Sequence, residues 1–215
     1  MRYGLHAASA LAILLVTTST GCSSGEGGSA RPSATHAAAS TAAPTPSPPD
    51  LTEVIDRTRT ALMTSGAAGA DAPGSQGLML VEAWPTGAAY AWETRDRRLC
   101  WASATGPGFS ELSCTVEPVP VGKSRKVDPL ATLFTDGWVQ LFATDHQQVT
   151  SATCGGSPLE VRRVGTAAHG VRTLYAVRFP DHTKGSIALL LSHDGTTSRA
   201  ALQLDDTGDR TCTAT

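Results

Sequence analysis

Three adjacent Asp and His pairs are the residues whose types and spacing could support chemistry. They are Asp145-His146, Asp181-His182 and His193-Asp194. Carboxylates and imidazoles are groups that proteins use for general acid–base catalysis and for binding metal ions. All three pairs lie in segments rich in turn-forming residues, and the turns at one end of a sheet protein can converge. The pairs therefore predict either a surface acid–base or metal site or simply three polar turns.

Recognisable enzyme motifs are missing from the sequence. It contains no G-x-S-x-G, S-x-x-K, H-E-x-x-H or G-x-x-x-x-G-K-[ST] pattern. These are the local patterns that position a nucleophile, a zinc ion or a phosphate group. Because nothing nominates a catalytic residue, we predict that the protein is not an enzyme and holds neither a cofactor nor a metal ion.

Four of the five cysteines form an even set: Cys100, Cys114, Cys154 and Cys212. In an exported domain such a set indicates disulfides, here with three possible connectivities. Cys100 and Cys114 flank the loop at 105–108 almost symmetrically, as partners across a hairpin would. We therefore favour Cys100–Cys114 and Cys154–Cys212, the second pinning the C-terminal segment to the sheet. A zinc site is the alternative, but the sequence lacks C-x-x-C and H-x-x-x-H spacings.

The fifth cysteine, Cys22, follows an export signal. Arg2 supplies the positive charge, residues 7–16 form an apolar stretch, and Gly21 is a small residue before the cysteine. The apolar stretch is too short to span a bilayer, which takes about 20 residues. Residues 1–21 are therefore predicted to be a cleaved signal peptide.

Thr20-Gly21-Cys22 resembles the lipobox of bacterial lipoproteins, although Ser19 stands where a leucine is commoner. The resemblance implies cleavage before Cys22 and attachment of a diacylglycerol with palmitate-type chains to its thiol. It also implies anchoring to the cell membrane on the extracytoplasmic face, since two acyl chains anchor a protein where one binds only marginally. The alternative is an ordinary secretory signal, with Cys22 as an incidental thiol.

Residues 22–50 have the composition of a disordered tether. Residues 23–50 include no Val, Ile, Leu, Met, Phe, Tyr or Trp. Such a segment cannot bury enough apolar surface to offset the entropy lost on ordering, and as a flexible coil it spans roughly 30 Å. A lipobox, an Ala/Ser/Thr/Pro tether and a disulfide-stapled β domain together resemble exported lipoproteins of the actinobacterial type. This resemblance implies a location and no common activity.

The charge of the chain argues against nucleic acid as a partner. Its 17 Lys and Arg and 19 Asp and Glu give a net charge of −2, and removing the signal peptide takes away only one further positive charge. Binding to phosphate backbones requires a basic face. The only basic cluster, at 123–126, is expected to be a solvated loop.

The ordered domain, residues 51–215, is predicted to begin with a short helix at 51–64. Asp50 begins a capping-box pattern, Gly66 is a plausible stop, and a helical stripe is formed by Leu51, Val54, Ile55 and Leu62. We expect this helix to pack on the sheets that follow. A helix lying on a membrane is the alternative, but its polar face has no strong basic patch.

The rest of the domain predicts strands in two sets, 78–116 and 137–204, joined by a connector at 117–129. The first strand has apolar residues on both faces, and the later strands recur every 8–14 residues with turn residues between them. No helix-length pattern separates them, which favours an antiparallel arrangement over βαβ units. A four-stranded set alone would be marginal, which favours one unit over two lobes without excluding the latter.

The predicted fold class is therefore mainly β: an antiparallel β-sandwich with one short N-terminal helix after a disordered tether. Its C-terminal part resembles immunoglobulin-like domains loosely, in strand rhythm only, because the Cys…Trp…Cys spacing is missing.

Four tryptophans offer another kind of site, since flat rings can stack on sugars: Trp84, Trp92, Trp101 and Trp138. Three of the four lie in predicted strands with alternating apolar neighbours, where packing in the core is the commoner outcome. A carbohydrate platform would need the rings to be exposed together on one face.

The sequence thus predicts a membrane-anchored extracytoplasmic binding or interaction module, with an envelope protein or glycan as its ligand. One alternative is an envelope enzyme or metal-binding protein whose site is built from the Asp and His turns. A passive structural role is another. The first alternative requires His146, His182 and His193 to gather in one cleft with their carboxylates.

Overall fold

One helix and three β-sheets stack as four layers in the ordered domain. The structure is a computed structural model and describes residues 50–106, 108–122 and 127–215. The predicted signal peptide, Cys22, the tether up to residue 49 and the basic cluster at 123–126 lie outside these residues.

The mainly β fold with one α-helix is confirmed within the described residues. The helix is α1 (Leu51–Ser65), and the strands in chain order are β1 (Met79–Trp84), β2 (Gly87–Glu93), β3 (Leu99–Thr105), β4 (Gly108–Cys114), β5 (Asp128–Phe134), β6 (Trp138–Asp145), β7 (Gln148–Cys154), β8 (Ser157–Leu159), β9 (Val161–Ala167), β10 (Arg172–Phe179), β11 (Thr183–His193), β12 (Thr196–Gln203) and β13 (Arg210–Cys212). Two short 3-10 helices, Gly69–Asp71 and Ala168–Gly170, lie in loops.

The strands form three sheets in which the hydrogen-bonded order is antiparallel throughout the main path. Sheet 1 has the order β1-β2-β3-β4, sheet 2 the order β5-β6-β10-β9, and sheet 3 the order β12-β11-β7-β8. The exception is β13, which pairs in parallel with the start of β11. Sheet 1 is a meander of four consecutive strands. Sheets 2 and 3 take their strands alternately along the chain, so each combines segments that are distant in sequence.

Helix α1 begins and ends where the sequence predicts. The Asp50 carboxylate accepts a hydrogen bond from the Thr52 N–H (2.9 Å), and the Gly66 N–H donates to the Leu62 carbonyl (2.9 Å). The first contact pairs a backbone N–H and the second pairs a carbonyl oxygen, the groups that the two ends of a helix leave without a partner.

The buried face of α1 differs in part from the predicted stripe. It consists of Val54, Thr58 and Leu62, spaced four residues apart. The prediction that Leu51 belongs to this face is wrong, since its side chain is 44% exposed. Leu51 is the first residue of the helix and lies before its first buried residue, Val54. Thr58 is polar but can be buried because its hydroxyl forms hydrogen bonds.

Tyr90 on β2 supplies one of those partners, and its loss should destabilise the helix layer. Its hydroxyl donates to the Ile55 carbonyl (2.8 Å) and lies 2.9 Å from the Thr58 hydroxyl. Burial raises the pKa of Tyr90, so the hydroxyl remains a donor at neutral pH. Tyr90→Phe should lower the free energy of unfolding by about 1–2 kcal/mol in urea denaturation, because a buried acceptor loses its donor.

Thr64→Ala on the exposed face of α1 is the matched control. It should change the free energy of unfolding by no more than about 0.5 kcal/mol. A Tyr90→Phe effect as small as that of the control would contradict the prediction.

Three cores separate the four layers. Leu62, Tyr90 and Trp92 lie between α1 and sheet 1. On β10, Leu174 and Ala176 point into the core between sheets 1 and 2, whereas Tyr175, Val177 and Phe179 point into the core between sheets 2 and 3. This is the alternation expected of a strand buried on both faces.

The two predicted strand sets therefore share a core. Sheet 1 is covered by α1 on one face and by sheet 2 on the other. This explains why residues of both parities along β2, from Gly87 to Trp92, are buried.

The boundaries of the second strand set need correction. It begins with β5 at Asp128, not at residue 137, and the connector is correspondingly shorter than 117–129. Pro129 hides this strand from sequence reasoning, because proline cannot donate a ladder hydrogen bond and is confined to edge strands or bulges. Strand β5 is such an edge: it pairs with β6, and its register shifts between Pro129 and Ala131.

Both predicted disulfides are confirmed, Cys100–Cys114 and Cys154–Cys212. Cys100 and Cys114 are direct register partners on β3 and β4. Cys212 lies on β13 opposite Gly185 of β11. Gly185 has φ +94°, and a Cβ at this position would collide with the Cys212 carbonyl oxygen. Only glycine allows this close parallel approach.

Candidate functional site

Asp145, one of the predicted turn residues, belongs to a buried ion pair. Its two carboxylate oxygens lie 2.7 and 2.9 Å from the Nε and Nη2 atoms of Arg172, a residue with 1% of its surface exposed. Arg172 also donates to the carbonyl oxygens of Val119 (3.3 Å) and Pro120 (3.0 Å), and it lies 3.5 Å from the Asp128 carboxylate. The pair therefore fastens the connector to sheet 2.

The protonation of Asp145 is fixed by these contacts. Burial opposes its ionisation, but hydrogen bonds from Arg172 and from the Gly122 N–H (2.7 Å) outweigh burial and hold the pKa of the carboxyl below its ordinary value. A carboxylate that is held ionised by several donors is a poor proton acceptor. Asp145 is thus a structural residue and not a general base.

The other two predicted pairs lie at opposite ends of β11. At one end, the rings of His146 and His193 are 6.3 Å apart, His193 Nδ1 hydrogen-bonds with the His146 carbonyl oxygen, and His193 Nε2 lies 3.3 Å from the Asp194 carboxylate. His182 precedes the other end of the strand. The three histidines therefore do not gather in one cleft.

Asp181-His182 contributes to a small aromatic cluster instead. The Asp181 carbonyl accepts a hydrogen bond from the Thr183 hydroxyl (2.9 Å). The His182 ring stacks on Trp138 with 3.9 Å between ring centroids, and Phe134, 63% exposed, meets Trp138 edge-on. One face of Trp138 is thus covered.

The tryptophans do not form a platform. Trp84 and Trp92 are buried, as the core interpretation predicts, and Trp92 Nε1 donates to the Asp71 carbonyl (2.7 Å). Trp101 packs against the core between sheets 1 and 2. Trp138 is partly buried as well and packs against the core between sheets 2 and 3, beside the exposed Phe134.

A cavity of about 740 Å³ opens beside the turn between β2 and β3. We call it the polar groove. It is lined by residues 73–76 from the loop before β1, by residues 93–95 and Arg97 from the turn, and by His169 from the turn between β9 and β10. It therefore lies where loops of sheets 1 and 2 meet.

Backbone contacts hold one wall of the polar groove in place. The Gly74 N–H donates to the Glu93 carbonyl (2.7 Å), and Pro73 forms a β-bridge with Thr94. A Cβ on Gly74 would lie only 3.0 Å from the Glu93 oxygen, so the loop approaches the strand as closely as glycine permits.

Arg98 holds the turn between β2 and β3 in place by pairing with two acidic side chains. Its guanidinium lies 2.9 Å from the Asp71 carboxylate and 2.8 Å from the Asp96 carboxylate. Two hydrogen bonds lower the pKa of Asp96: the larger effect comes from the Thr94 hydroxyl and the smaller from Arg98. The pKa of Arg98 is raised by its hydrogen bonds to Asp96 and Asp71. Asp71 and Asp96 are thus both paired with one arginine.

Three groove residues have the types of a hydrolase triad: Ser75, His169 and Glu93. A serine nucleophile needs a base within hydrogen-bond reach and a group that orients the base. Among the described residues no hydrogen bond joins Ser75 to His169 or His169 to Glu93. The Glu93 carboxylate accepts instead from the Ala168 N–H (3.0 Å). In this structure, therefore, none of the described residues acts as a hydrogen-bonded base to Ser75.

One group of potential metal ligands occurs in the described part of the chain, Asp71 with Cys100 and Cys114. The two sulfur atoms are bonded to each other, and a metal-binding cysteine must be a thiolate. The oxidised protein therefore offers no cysteine ligand at this position.

Sequence reasoning missed the polar groove. The segments 67–77 and 95–98 carry no site motif in the sequence, and His169 belongs to none either. The available signal was three arginines in a single turn: Arg95, Arg97 and Arg98. Nothing local shows that this turn meets a histidine about seventy residues away.

Comparison with known proteins finds neither a family model nor a curated protein that matches the chain. Among the described residues, no helix has the length and apolar character needed to cross a membrane.

Proposed function

We propose that the protein is a lipid-anchored, extracytoplasmic binding module without enzymatic activity. In this proposal Cys22 carries the lipid, residues 22–50 are the tether, and the domain 51–215 binds an envelope protein or glycan. The two disulfides support export, because such bonds persist in oxidising compartments outside the cytosol.

The polar groove is the observation that carries the binding function. Its volume falls in the range of about 300–1,000 Å³ that is typical of small-molecule sites. Its lining offers charged and hydrogen-bonding groups, and no base in the described part of the chain is hydrogen-bonded to its serine. Of the Asp and His turns, by contrast, Asp181-His182 lies apart from the other two, and Asp145 and His193 already form structural contacts.

The second candidate is an envelope hydrolase, which the residue types Ser75, His169 and Glu93 favour. A fluorophosphonate probe distinguishes the two candidates, because it labels an activated serine. The binding function predicts no labelling of the folded protein. Labelling that disappears in Ser75→Ala and persists in Ser151→Ala would establish a nucleophile and overturn the non-enzymatic proposal.

Anchoring is tested by replacing the proposed lipid acceptor. We expect Cys22→Ser to abolish recovery of mature protein in the membrane fraction, because the thiol that takes the lipid is gone, whereas Ser23→Ala should fractionate as wild type. Intact-mass measurement of the mature wild-type protein should show a diacylglycerol on Cys22. An unmodified Cys22 thiol would remove the anchoring part of the proposal.

A further inference from the structure

We infer that the polar groove binds an organic anion: a carboxylate or phosphate group on a hydroxyl- or amide-rich body of about disaccharide size. The inference rests on the proposed binding function and specifies the chemical class of the ligand.

The charge of the groove is the first argument. Arg95 and Arg97 are exposed, and among the described residues neither forms an ion pair. The carboxylate of Glu93, the acid that lines the groove, already accepts a hydrogen bond from the Ala168 N–H. With two arginines and one carboxylate among its lining residues, the groove is locally positive in a chain whose net charge is −2.

The ion pairs within the turn between β2 and β3 involve the arginine that lies outside the groove. Arg98 is bound to both Asp71 and Asp96, so these two acids are occupied by the arginine that does not line the groove. The other two guanidinium groups remain available to a ligand. A guanidinium presents paired N–H donors that match a carboxylate or phosphate group in a bidentate manner.

The backbone at Arg97 is the second, independent argument. Its φ is +66°, a conformation that favours glycine and is uncommon for a long side chain. His169, across the groove, has φ +57°. Unfavourable backbone conformations cluster at functional sites, where the side chain has a use that offsets the strain. The turn itself would favour glycine at position 97, so we take an arginine there as support for a use of its guanidinium.

The residues that line the groove indicate which groups the rest of the ligand should carry. Ser75 and Gln76 add a hydroxyl and an amide, and Pro73 is the one apolar side chain among the residues that line the groove. Sites for apolar ligands are lined mainly by hydrophobic and aromatic groups. This groove suits a ligand that carries its own hydroxyl or amide groups beside the anion.

The test is calorimetric titration of the full mature protein in detergent with three probes: digalacturonate, sucrose 6-phosphate and neutral digalactose. We expect one or both anionic probes to bind, with an affinity that falls as NaCl is raised, and digalactose not to bind. The preferred anion shows whether the natural ligand supplies a carboxylate or a phosphate.

Two variants assign the binding to the groove. Arg95→Gln and Arg97→Gly should each weaken binding by about tenfold or more, since each removes a charge-assisted contact. Arg163→Gln, an exposed arginine on β9, should leave the affinity unchanged. Arg97→Gly should also keep or raise the Tm, because glycine relieves the backbone at φ +66°. This excludes misfolding as the cause of lost binding.

Three results would overturn the inference. The first is the absence of binding by both anionic probes, and the second is anion binding that neither arginine variant weakens. The third is that digalactose binds as well as the anions, in which case the ligand class is wrong while the binding function stands. If the fluorophosphonate probe labels Ser75, the proposal that the protein is not an enzyme is wrong. The titration then still decides whether the groove binds an anion.

Discussion

Replacing Arg172 with methionine is expected to lower the free energy of unfolding by about 3–5 kcal/mol, the usual cost of removing one partner from a buried ion pair. The Asp145 carboxylate, whose side chain is 7% exposed, would keep only the Gly122 N–H as a donor. The carbonyl oxygens of Val119 and Pro120 would lose their donors as well. Urea denaturation followed by circular dichroism measures the change.

Arg163→Met is the matched control, because Arg163 is exposed on β9, the strand paired with β10. It should change the free energy of unfolding by no more than about 0.5 kcal/mol. If Arg172→Met costs as little as this control, the pair does not fasten the connector as we describe.

The same pair gives the stability a defined dependence on pH. The pKa of Asp145 is lowered in the folded state, so its contribution is fully present above the ordinary aspartate pKa of about 3.9. The contribution is lost as the pH falls further, through the folded-state pKa. Asp145→Asn should therefore be less stable than wild type at neutral pH, and the difference should shrink below about pH 4.

Replacing Cys154 and Cys212 together with alanine is expected to lower the free energy of unfolding by about 4 kcal/mol. The bond closes a segment with a sequence separation of 58, and chain-entropy arguments give about this value for a loop of that length. The variant also frees β13, which pairs with β11 over only three residues. Thermal and urea unfolding under non-reducing conditions measure the loss.

The Cys100→Ala/Cys114→Ala double variant provides the comparison. Its sequence separation is 14, for which the same argument gives about 3 kcal/mol, and β3 and β4 stay paired along the hairpin without the bond. We expect the Cys154/Cys212 variant to be the less stable of the two. The reverse order would show that pinning the C-terminal segment matters less than closing the hairpin.

Elements with local signals were predictable from the sequence. Asp50 and Gly66 mark the ends of α1, and the near-symmetric placement of Cys100 and Cys114 around a turn gave the hairpin disulfide. These features depend on residues close together in the chain. The strand β5 was not predictable, because Pro129 at its start indicates a connector.

The long-range polar contacts were also beyond sequence reasoning. Arg172 begins a mostly apolar strand, and its partner Asp145 looks like an ordinary turn residue. The two pair because β10 and β6 lie side by side, and Arg172 is buried because it also binds carbonyl oxygens of the connector. The polar groove escaped prediction for the same reason, since His169 reaches the arginine turn only through the packing of sheets 1 and 2.

The position of sheet 2 between two cores has a consequence for the dynamics of the domain. Its central strands β6 and β10 pair over eight successive residues, and both faces of these strands are covered by other sheets. Amide hydrogens in such a place exchange with solvent only when the surrounding layers open together, whereas helix ends and edge strands exchange by local fraying. The β6–β10 ladder should therefore be the slowest-exchanging part of the described chain. The loops around the polar groove lie at the margin of sheets 1 and 2, so their amide hydrogens should exchange faster than those of this ladder.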